Sequence, residues 1–120
     1  MSSIETFFNA WGMNSDNERA QAIASVYAKN GGYADPRSQT LLQGPDAITE
    51  YVNMFSANAP GWSAKVIKTD VIEGSVRATV AFGGIGPDGN EMVQHGQYFV
   101  DMDGELITRM IGFVGTGAPE

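Results

Sequence analysis

GWSAKVIKTDVIEGSVRATVAFGGIGPDGNEMVQHGQYFVDMDGELITRMIGFV, residues 61–114, is where the period of the chain changes. Before it, apolar residues recur every three or four positions. Within it they recur every second position, the spacing of a half-buried strand. Trp62, Ala64 and Val66 alternate with Ser63, Lys65 and Ile67 in a strand expected over 62–73. Gly74-Ser75 turns the chain into a second strand, 76–83, where Val76, Ala78, Val80 and Phe82 face one way and Arg77, Thr79 and Ala81 the other. Pro87-Asp88-Gly89-Asn90 is a turn with glycine where a positive φ is easiest. A long strand over 91–102, the hairpin signal Asp103-Gly104 and a last strand over 106–114 complete a four-stranded meander.

Upstream the pattern is helical. Phe7, Phe8 and Trp11 mark one face of a helix over about 3–13. Ala20, Ile23, Val26 and Tyr27 mark a second, expected over 16–29, with Asp16 as its N-cap and Asn30-Gly31-Gly32 as its stop. Pro36 forces Asp35 towards extended geometry, so Tyr33-Ala34-Asp35-Pro36 reads as a short strand or bend. Gly44-Pro45-Asp46 opens a third helix over 45–57, with Ile48, Tyr51, Val52 and Phe55 on its buried face. Helices segregated on one face of an antiparallel sheet make an α+β domain, and the hollow between them is a place for a small-molecule pocket.

Composition narrows the function classes. The chain has 120 residues, 42% hydrophobic and 18% charged, enough for one domain with a real core. Seven basic against 14 acidic residues leave a net charge of -7, which argues against nucleic acid and against an anionic membrane surface. There is no cysteine and a single histidine, so disulfides, thiolate metal sites, cysteine nucleophiles and a two-histidine metal site within one chain are excluded. No run approaches a membrane span, and Met1-Ser2-Ser3-Ile4-Glu5 lacks a basic leader segment, so a cytoplasmic location is the expectation.

The order of elements, together with Val26-Tyr27-Ala28, Tyr33-Ala34-Asp35-Pro36, Gly44-Pro45-Asp46-Ala47-Ile48, Pro60-Gly61-Trp62, His95-Gly96-Gln97-Tyr98-Phe99-Val100, Asp103-Gly104-Glu105-Leu106-Ile107 and Gly112-Phe113, resembles the nuclear transport factor 2-like superfamily. Within it the chain is similar to the SnoaL-like polyketide cyclase and ketosteroid isomerase branch. The resemblance spans nearly the whole chain. It implies a cystatin-like cone: three N-terminal helices on a curved, mostly antiparallel sheet. In ketosteroid isomerases the general base is an Asp before a Pro, some nine residues ahead of the glycine that opens the third helix. Asp35-Pro36 and Gly44 reproduce that spacing. The same enzymes hold the oxyanion with a first-helix Tyr and a protonated Asp on the penultimate strand. Here those positions fall on Phe8 or Trp11, and near His95 or Gly96. Limonene epoxide hydrolases use an Asp–Arg–Asp set, of which Asp35 and Arg109 supply two members and no second Asp is found.

Asp35 is therefore the candidate base. A carboxylate in an apolar cavity becomes a usable base near neutrality, whereas an Asp before Pro also commonly caps a turn. Tyr98 is a candidate oxyanion donor, and Gln94 beside it donates or accepts; both fall on the inward face in the family register. That register turns His95, the third catalytic candidate, to the opposite face unless a bulge intervenes. Tyr33 and Tyr51 are alternative hydroxyl donors with core packing as the plainer reading. Trp11, Phe8, Tyr51, Phe55, Trp62, Phe82 and Phe113 are expected to wall the pocket, partly as core. Arg109 shares a face with Ile107, Ile111 and Phe113; facing inwards it favours a carboxylate or enolate, facing outwards it leaves an apolar cavity. Gly83 to Gly89 reads as a flexible pocket lip and not a phosphate loop, and Asp101, Asp103 and Glu105 as a solvated turn.

Two functions follow. One is a cofactor-free, metal-free enzyme that shuttles a proton on a small, mostly apolar carbonyl compound, as an isomerase, cyclase or dehydratase. Asp35→Asn then removes turnover at a nearly unchanged melting temperature. The other is a non-catalytic ligand-binding or protein-interaction module. The domain is expected to span 1–120 with a frayed tail from 115, and its apolar outer sheet face to be covered in a homodimer.

Overall fold

The computed structural model describes residues 2–86 and 88–114. The tail from 115, expected to fray, lies outside the described residues. Helix α1 (Ser3–Ala10) begins with a reciprocal cap: Ser2 Oγ accepts the Glu5 N–H and Glu5 reaches back to the Ser2 N–H. It buries Phe7 and Phe8 completely, and Trp11 follows at its C-terminus. Helix α2 (Asp16–Val26) is capped by Ser15, whose Oγ accepts the Glu18 N–H. Asp16, expected as the cap, is instead the first helical residue, and its carboxylate pairs with Arg19 at 2.7 Å.

Helix α2 stops earlier than its pattern suggests. Strand β1 (Tyr27–Ala34) takes over directly and runs parallel to the last strand. Gly31 and Gly32 are thus inside a strand and do not stop a helix. The ladder shifts register between Tyr27 and Gly32, and the Tyr27 hydroxyl donates across the irregularity to the Gly32 carbonyl at 2.8 Å. A Cβ on Gly31 would stand 2.5 Å from that ring and 2.9 Å from the Ile107 carbonyl, so only glycine fits. A two-residue strand β2 (Leu42–Gln43), invisible in the sequence pattern, pairs with β1. Gly44, at φ 91°, is the N-cap of α3 (Pro45–Asn58), with Pro45 in the first turn where a missing N–H costs nothing.

Strands β3 (Ser63–Ile72), β4 (Ser75–Ile85), β5 (Glu91–Asp103) and β6 (Leu106–Val114) form the expected meander. The sheet order is β2-β1-β6-β5-β4-β3, antiparallel except for β1 with β6. The result is an α+β fold of three helices on a six-stranded, mostly antiparallel sheet. The core lies between the helices and one sheet face: Phe7, Phe8, Ile23, Ile48 and Val52 pack against Ala78, Val80, Tyr98, Val100 and Met110.

Two ladder features aim the side chains. The β4–β5 ladder is uninterrupted from Val76↔Val100 to Ile85↔Glu91, which sets Phe82 opposite Gln94 and Ala78 opposite Tyr98 on the inner face. The β5–β6 ladder is broken between Asp101 and Met102. That bulge sends Ile107 inwards, fully buried, and leaves Arg109 opposite Asp101 on the outer face, exposed.

Arg19 is a buried charge that the sequence did not disclose. It is fully enclosed, and its guanidinium donates to the carbonyls of Ala10 (3.0 Å) and Met13, to Asp16 Oδ1, to Asn53 Oδ1 (2.7 Å) and to Ser56 Oγ (2.9 Å). One side chain thereby ties α2 to the end of α1 and to α3. Its planar fork serves several acceptors at once, which a lysine does not do.

Candidate functional site

A cavity of about 580 Å³ opens between α1, α3 and the inner face of β4 and β5. Trp11, Tyr51, Phe55, Trp62, Phe82 and Tyr98 wall it, and Asp35 and Gln94 are among its polar lining residues. The aromatic rings are mutually packed: Trp11 meets Phe55 at 4.9 Å and Phe82 at 5.5 Å between centroids. Fixed ring-to-ring contacts of this kind hold an apolar wall open and in shape.

Asp35 sits where β1 ends. Its backbone N–H donates to Ser38 Oγ, and its Oδ1 accepts the backbone N–H groups of Arg37 and Ser38, both at 2.9 Å. This is the turn-capping role that the residue before Pro36 was expected to offer. It coexists with a second set of contacts. The Tyr51 hydroxyl donates to Oδ1 at 2.6 Å and the Tyr33 hydroxyl to Oδ2 at 2.6 Å. A carboxylate oxygen has about two lone-pair positions. Oδ1 is filled, whereas Oδ2 accepts one bond and retains room for another.

Tyr33 also lies 3.5 Å from the Tyr98 hydroxyl. Its single proton is committed to Asp35 by the shorter bond. Tyr98 therefore supplies the proton of that long contact, and Tyr98 is among the residues that line the cavity. Burial pushes the phenols of Tyr33, Tyr51 and Tyr98 up from their ordinary range, and the nearby Asp35 charge pushes the same way. All three stay protonated at neutral pH and act as donors.

Glycines make the seat for Tyr98. Its ring covers Gly96 two positions before it and Gly112 directly across on β6. A Cβ on Gly112 would fall 2.8 Å from Tyr98 Cδ2. Trp62 rests in the same way on Gly84, with its Nε1 donating to the Ile85 carbonyl at 3.3 Å. The glycine-rich stretch is thus the lip of the cavity, formed by Ile85, Gly86 and Met92.

Several expected site residues lie elsewhere. Phe8 is core: it is fully buried behind Tyr98, centroids 4.8 Å apart, and does not reach the cavity. Arg109 faces outwards for the reason given above. Phe113 borders the cavity, yet the residue is 57% exposed and its ring packs edge-on against Phe99 on the outer face, because Phe113 pairs with Gln97. His95 pairs with Ala81 in the unbroken ladder, so its side chain leaves from the outer face although the residue edges the cavity. Two contributors were missed or underweighted. Tyr33 was legible as a partner of Asp35, since residues two apart on a strand share a face. Arg37 lines the cavity mouth, and its only signal was its place after Asp35-Pro36.

One polar atom is left over. The Trp11 Nε1–H is buried and has no partner among the described residues. No cluster of three metal-ligating side chains occurs among the described residues, and no helix there is long and apolar enough to cross a membrane.

A family model described as a SnoaL-like domain matches residues 4–110. No curated protein matches the chain. Among solved structures, a protein of the SnoaL-like family from Agrobacterium tumefaciens superposes with a TM-score of 0.79 at 21% identity, covering 95% of each chain. A protein of ketosteroid isomerase-like fold from Catenulispora acidiphila, in complex with trimethylamine, gives 0.76 at 17% identity over 92% of this chain and 82% of its own. A nuclear transport factor 2-like protein of unknown function from Exiguobacterium gives 0.77 at 13% identity over 97% of this chain and all of its own.

Proposed function

The chain belongs to the SnoaL-like domain family, and from that premise we propose that it is a cofactor-free acid–base enzyme acting on a small, mostly apolar carbonyl compound. The observation that carries this reading is the pairing, at one cavity, of a carboxylate oxygen that accepts a single hydrogen bond among the described residues and a phenol whose proton is held only by a 3.5 Å contact. Asp35 Oδ2 removes a proton from the carbon next to the carbonyl. The C–H electron pair moves into the carbonyl, and the Tyr98 O–H meets the resulting enolate oxygen. Asp35 then returns the proton to the same or another carbon. Tyr33 and Tyr51 position the carboxylate, and Gln94 at the mouth gives a further polar contact. His95, directed to the outer face, is not used. Hydrogen-bond donation to a developing oxyanion typically supplies roughly 10²–10³ in rate.

Proton exchange tests this without knowledge of the natural substrate. Cyclohexanone, 2-decalone and a 3-ketosteroid are incubated with the protein in D₂O, and loss of the α-proton signals is followed by NMR. Exchange above the buffer rate is expected for at least one, and its disappearance in Asp35→Asn. Exchange that survives that substitution removes Asp35 from the role; no exchange with any of them favours the binding-module reading. The variant is also expected to lose several degrees of melting temperature. An amide nitrogen cannot accept the protons that Tyr33 or Tyr51 now donates, so the near-neutral stability suggested by the sequence does not follow from this geometry.

We further propose that the outer sheet face meets a second copy of the chain. Val93, Phe99 and Phe113 are about half exposed there, with Ile111 beside them, and Arg109 and Asp101 stand opposite each other at the border of the patch. Such a face suits a two-fold partner. Light scattering is expected to give twice the chain mass, and Phe99→Glu half of that.

A further inference from the structure

All seven basic residues of the chain lie in described segments, and six are accounted for away from the cavity. Arg19 is consumed inside the core, Arg77 pairs with Asp70 at 2.8 Å, and Arg109 is on the outer face. Lys29, Lys65 and Lys68 do not line the cavity. Arg37 alone does. Its backbone is pinned to the site, because its N–H donates to Asp35 Oδ1. Its guanidinium, by contrast, makes no ion pair and donates no hydrogen bond among the described residues. Its charge is nonetheless felt inside: it pulls the Tyr51 and Tyr98 phenols down, against the stronger upward push of burial.

An unspent guanidinium at the mouth of an aromatic cavity is notable on a chain of net charge -7. An apolar neutral ligand gains nothing from it. A planar anion gains two parallel N–H···O bonds in the geometry that Arg offers and Lys does not. The guanidinium also offsets the repulsion that such an anion meets from the Asp35 carboxylate deeper in.

We propose that Arg37 is a specificity-determining residue that selects substrates carrying a carboxylate at the mouth end of an apolar, carbonyl-bearing body. The inference rests on the cavity being the substrate site, and it names the charge of that substrate. The outward placement of Arg109 had pointed to an uncharged ligand; Arg37 supplies the cation that Arg109 does not.

The test compares matched pairs that differ only in charge. Benzoate, biphenyl-4-carboxylate and 1-naphthoate are titrated against the full chain beside their primary carboxamides. Binding is read from the fluorescence of Trp11 and Trp62, which face the cavity. The acid of the best-fitting pair is expected to bind about tenfold more tightly than its amide. The advantage is expected to shrink as salt rises, since the site is open to solvent. In Arg37→Gln the ratio is expected to fall to about one through loss of acid affinity. A ratio near one in the unaltered protein, or one that survives Arg37→Gln, overturns the role of Arg37 and leaves the cavity as a site for neutral ligands. Failure of every acid and every amide to bind overturns the cavity reading itself, and this inference with it.

Discussion

The Tyr33 hydroxyl donates to Oδ2 of Asp35 at 2.6 Å, and that bond decides which phenol is free to act. Tyr33 has one proton and spends it on the carboxylate. Tyr98 holds its own only by the long 3.5 Å contact with Tyr33, from which a ligand oxygen in the cavity can draw it. Two tyrosines of similar burial thus have different work, one holding the base and the other meeting the substrate.

Phenylalanine substitutions are expected to separate the two. Tyr33→Phe removes a hydrogen bond to a charged group and leaves Oδ2 short of a partner. A loss of about 1.5–3 kcal/mol of stability is expected. Tyr98→Phe removes a hydroxyl whose one hydrogen-bond partner among the described residues is at the outer limit of hydrogen bonding, so stability is expected to change by less than about 0.5 kcal/mol. Its α-proton exchange rate is expected to drop by roughly 10²–10³. Urea denaturation and NMR exchange on both variants check this. A Tyr98→Phe protein that exchanges at the original rate would remove the oxyanion role.

Arg19 is expected to be the most sensitive position outside the cavity. Its guanidinium satisfies acceptors on three segments in a fully buried setting. Arg19→Ala strands those carbonyls and side chains, at an expected cost of about 3 kcal/mol or more. Arg19→Lys keeps the charge but not the fork, and is expected to recover less than half of that. Because α1 and α3 both lean on this residue and carry Trp11 and Phe55, the quenching of tryptophan by cavity ligands is expected to weaken in parallel.

What the sequence disclosed follows from the length of unbroken ladders. Alternation along β4 and β5 continues without a shift, so Phe82, Gln94 and Tyr98 could be assigned to one face by counting. The same counting put Ile107 on the face of Arg109, Ile111 and Phe113, and it failed for Ile107 because a bulge beside Met102 inserts one residue of β6 into the pairing. A bulge has no signature in apolar periodicity. The end of α2 was misread for a different reason. Ala28 and Lys29 are good helix formers, but pairing with β6 captures the chain from Tyr27, and tertiary pairing outweighs a few tenths of a kcal/mol of propensity. The hydroxyl network around Asp35 depends on linking residues 35, 51, 33 and 98 by contacts of 2.6, 2.6 and 3.5 Å, a relation that no one-dimensional pattern carries.

Alkaline sensitivity is expected to be pronounced. All four tyrosines of the chain, Tyr27, Tyr33, Tyr51 and Tyr98, have phenols pushed well above 10 by burial. In the unfolded chain they titrate near 10. Between those values the unfolded state releases protons that the folded state retains, so stability falls as pH rises. The stabilisation is complete below pH 10 and is lost above it. Each fully buried phenol contributes a slope of about 1.4 kcal/mol per pH unit there. The melting temperature is expected to hold up to about pH 9.5 and fall steeply beyond. Phenolate absorbance at 295 nm is expected to appear together with unfolding and not before it. Early titration of three or four phenols in the folded protein would contradict the burial described.

Gly112→Ala is expected to disable the site from beneath. Tyr98 lies flat over Gly112, its partner across the β5–β6 ladder, and an added Cβ would meet the ring at 2.8–2.9 Å from Cδ2 and Cζ. The ring is the movable party, since Gly112 is held by its pairing with β5 and follows Ile111, which pairs with Ala34 of β1. It must tilt into the cavity, carrying its hydroxyl away from Tyr33 and from the enolate position. A displacement near 1 Å in a positioned group commonly costs about 10² in rate. The exchange rate is therefore expected to fall by about that factor, while far-ultraviolet circular dichroism remains that of the parent. The Tyr98→Phe/Gly112→Ala double variant distinguishes this from general damage. If glycine acts only by seating the ring, adding Gly112→Ala to a protein that already lacks the hydroxyl is expected to cost little further rate. A full second loss of 10² would mean that Gly112 serves the site by some other route.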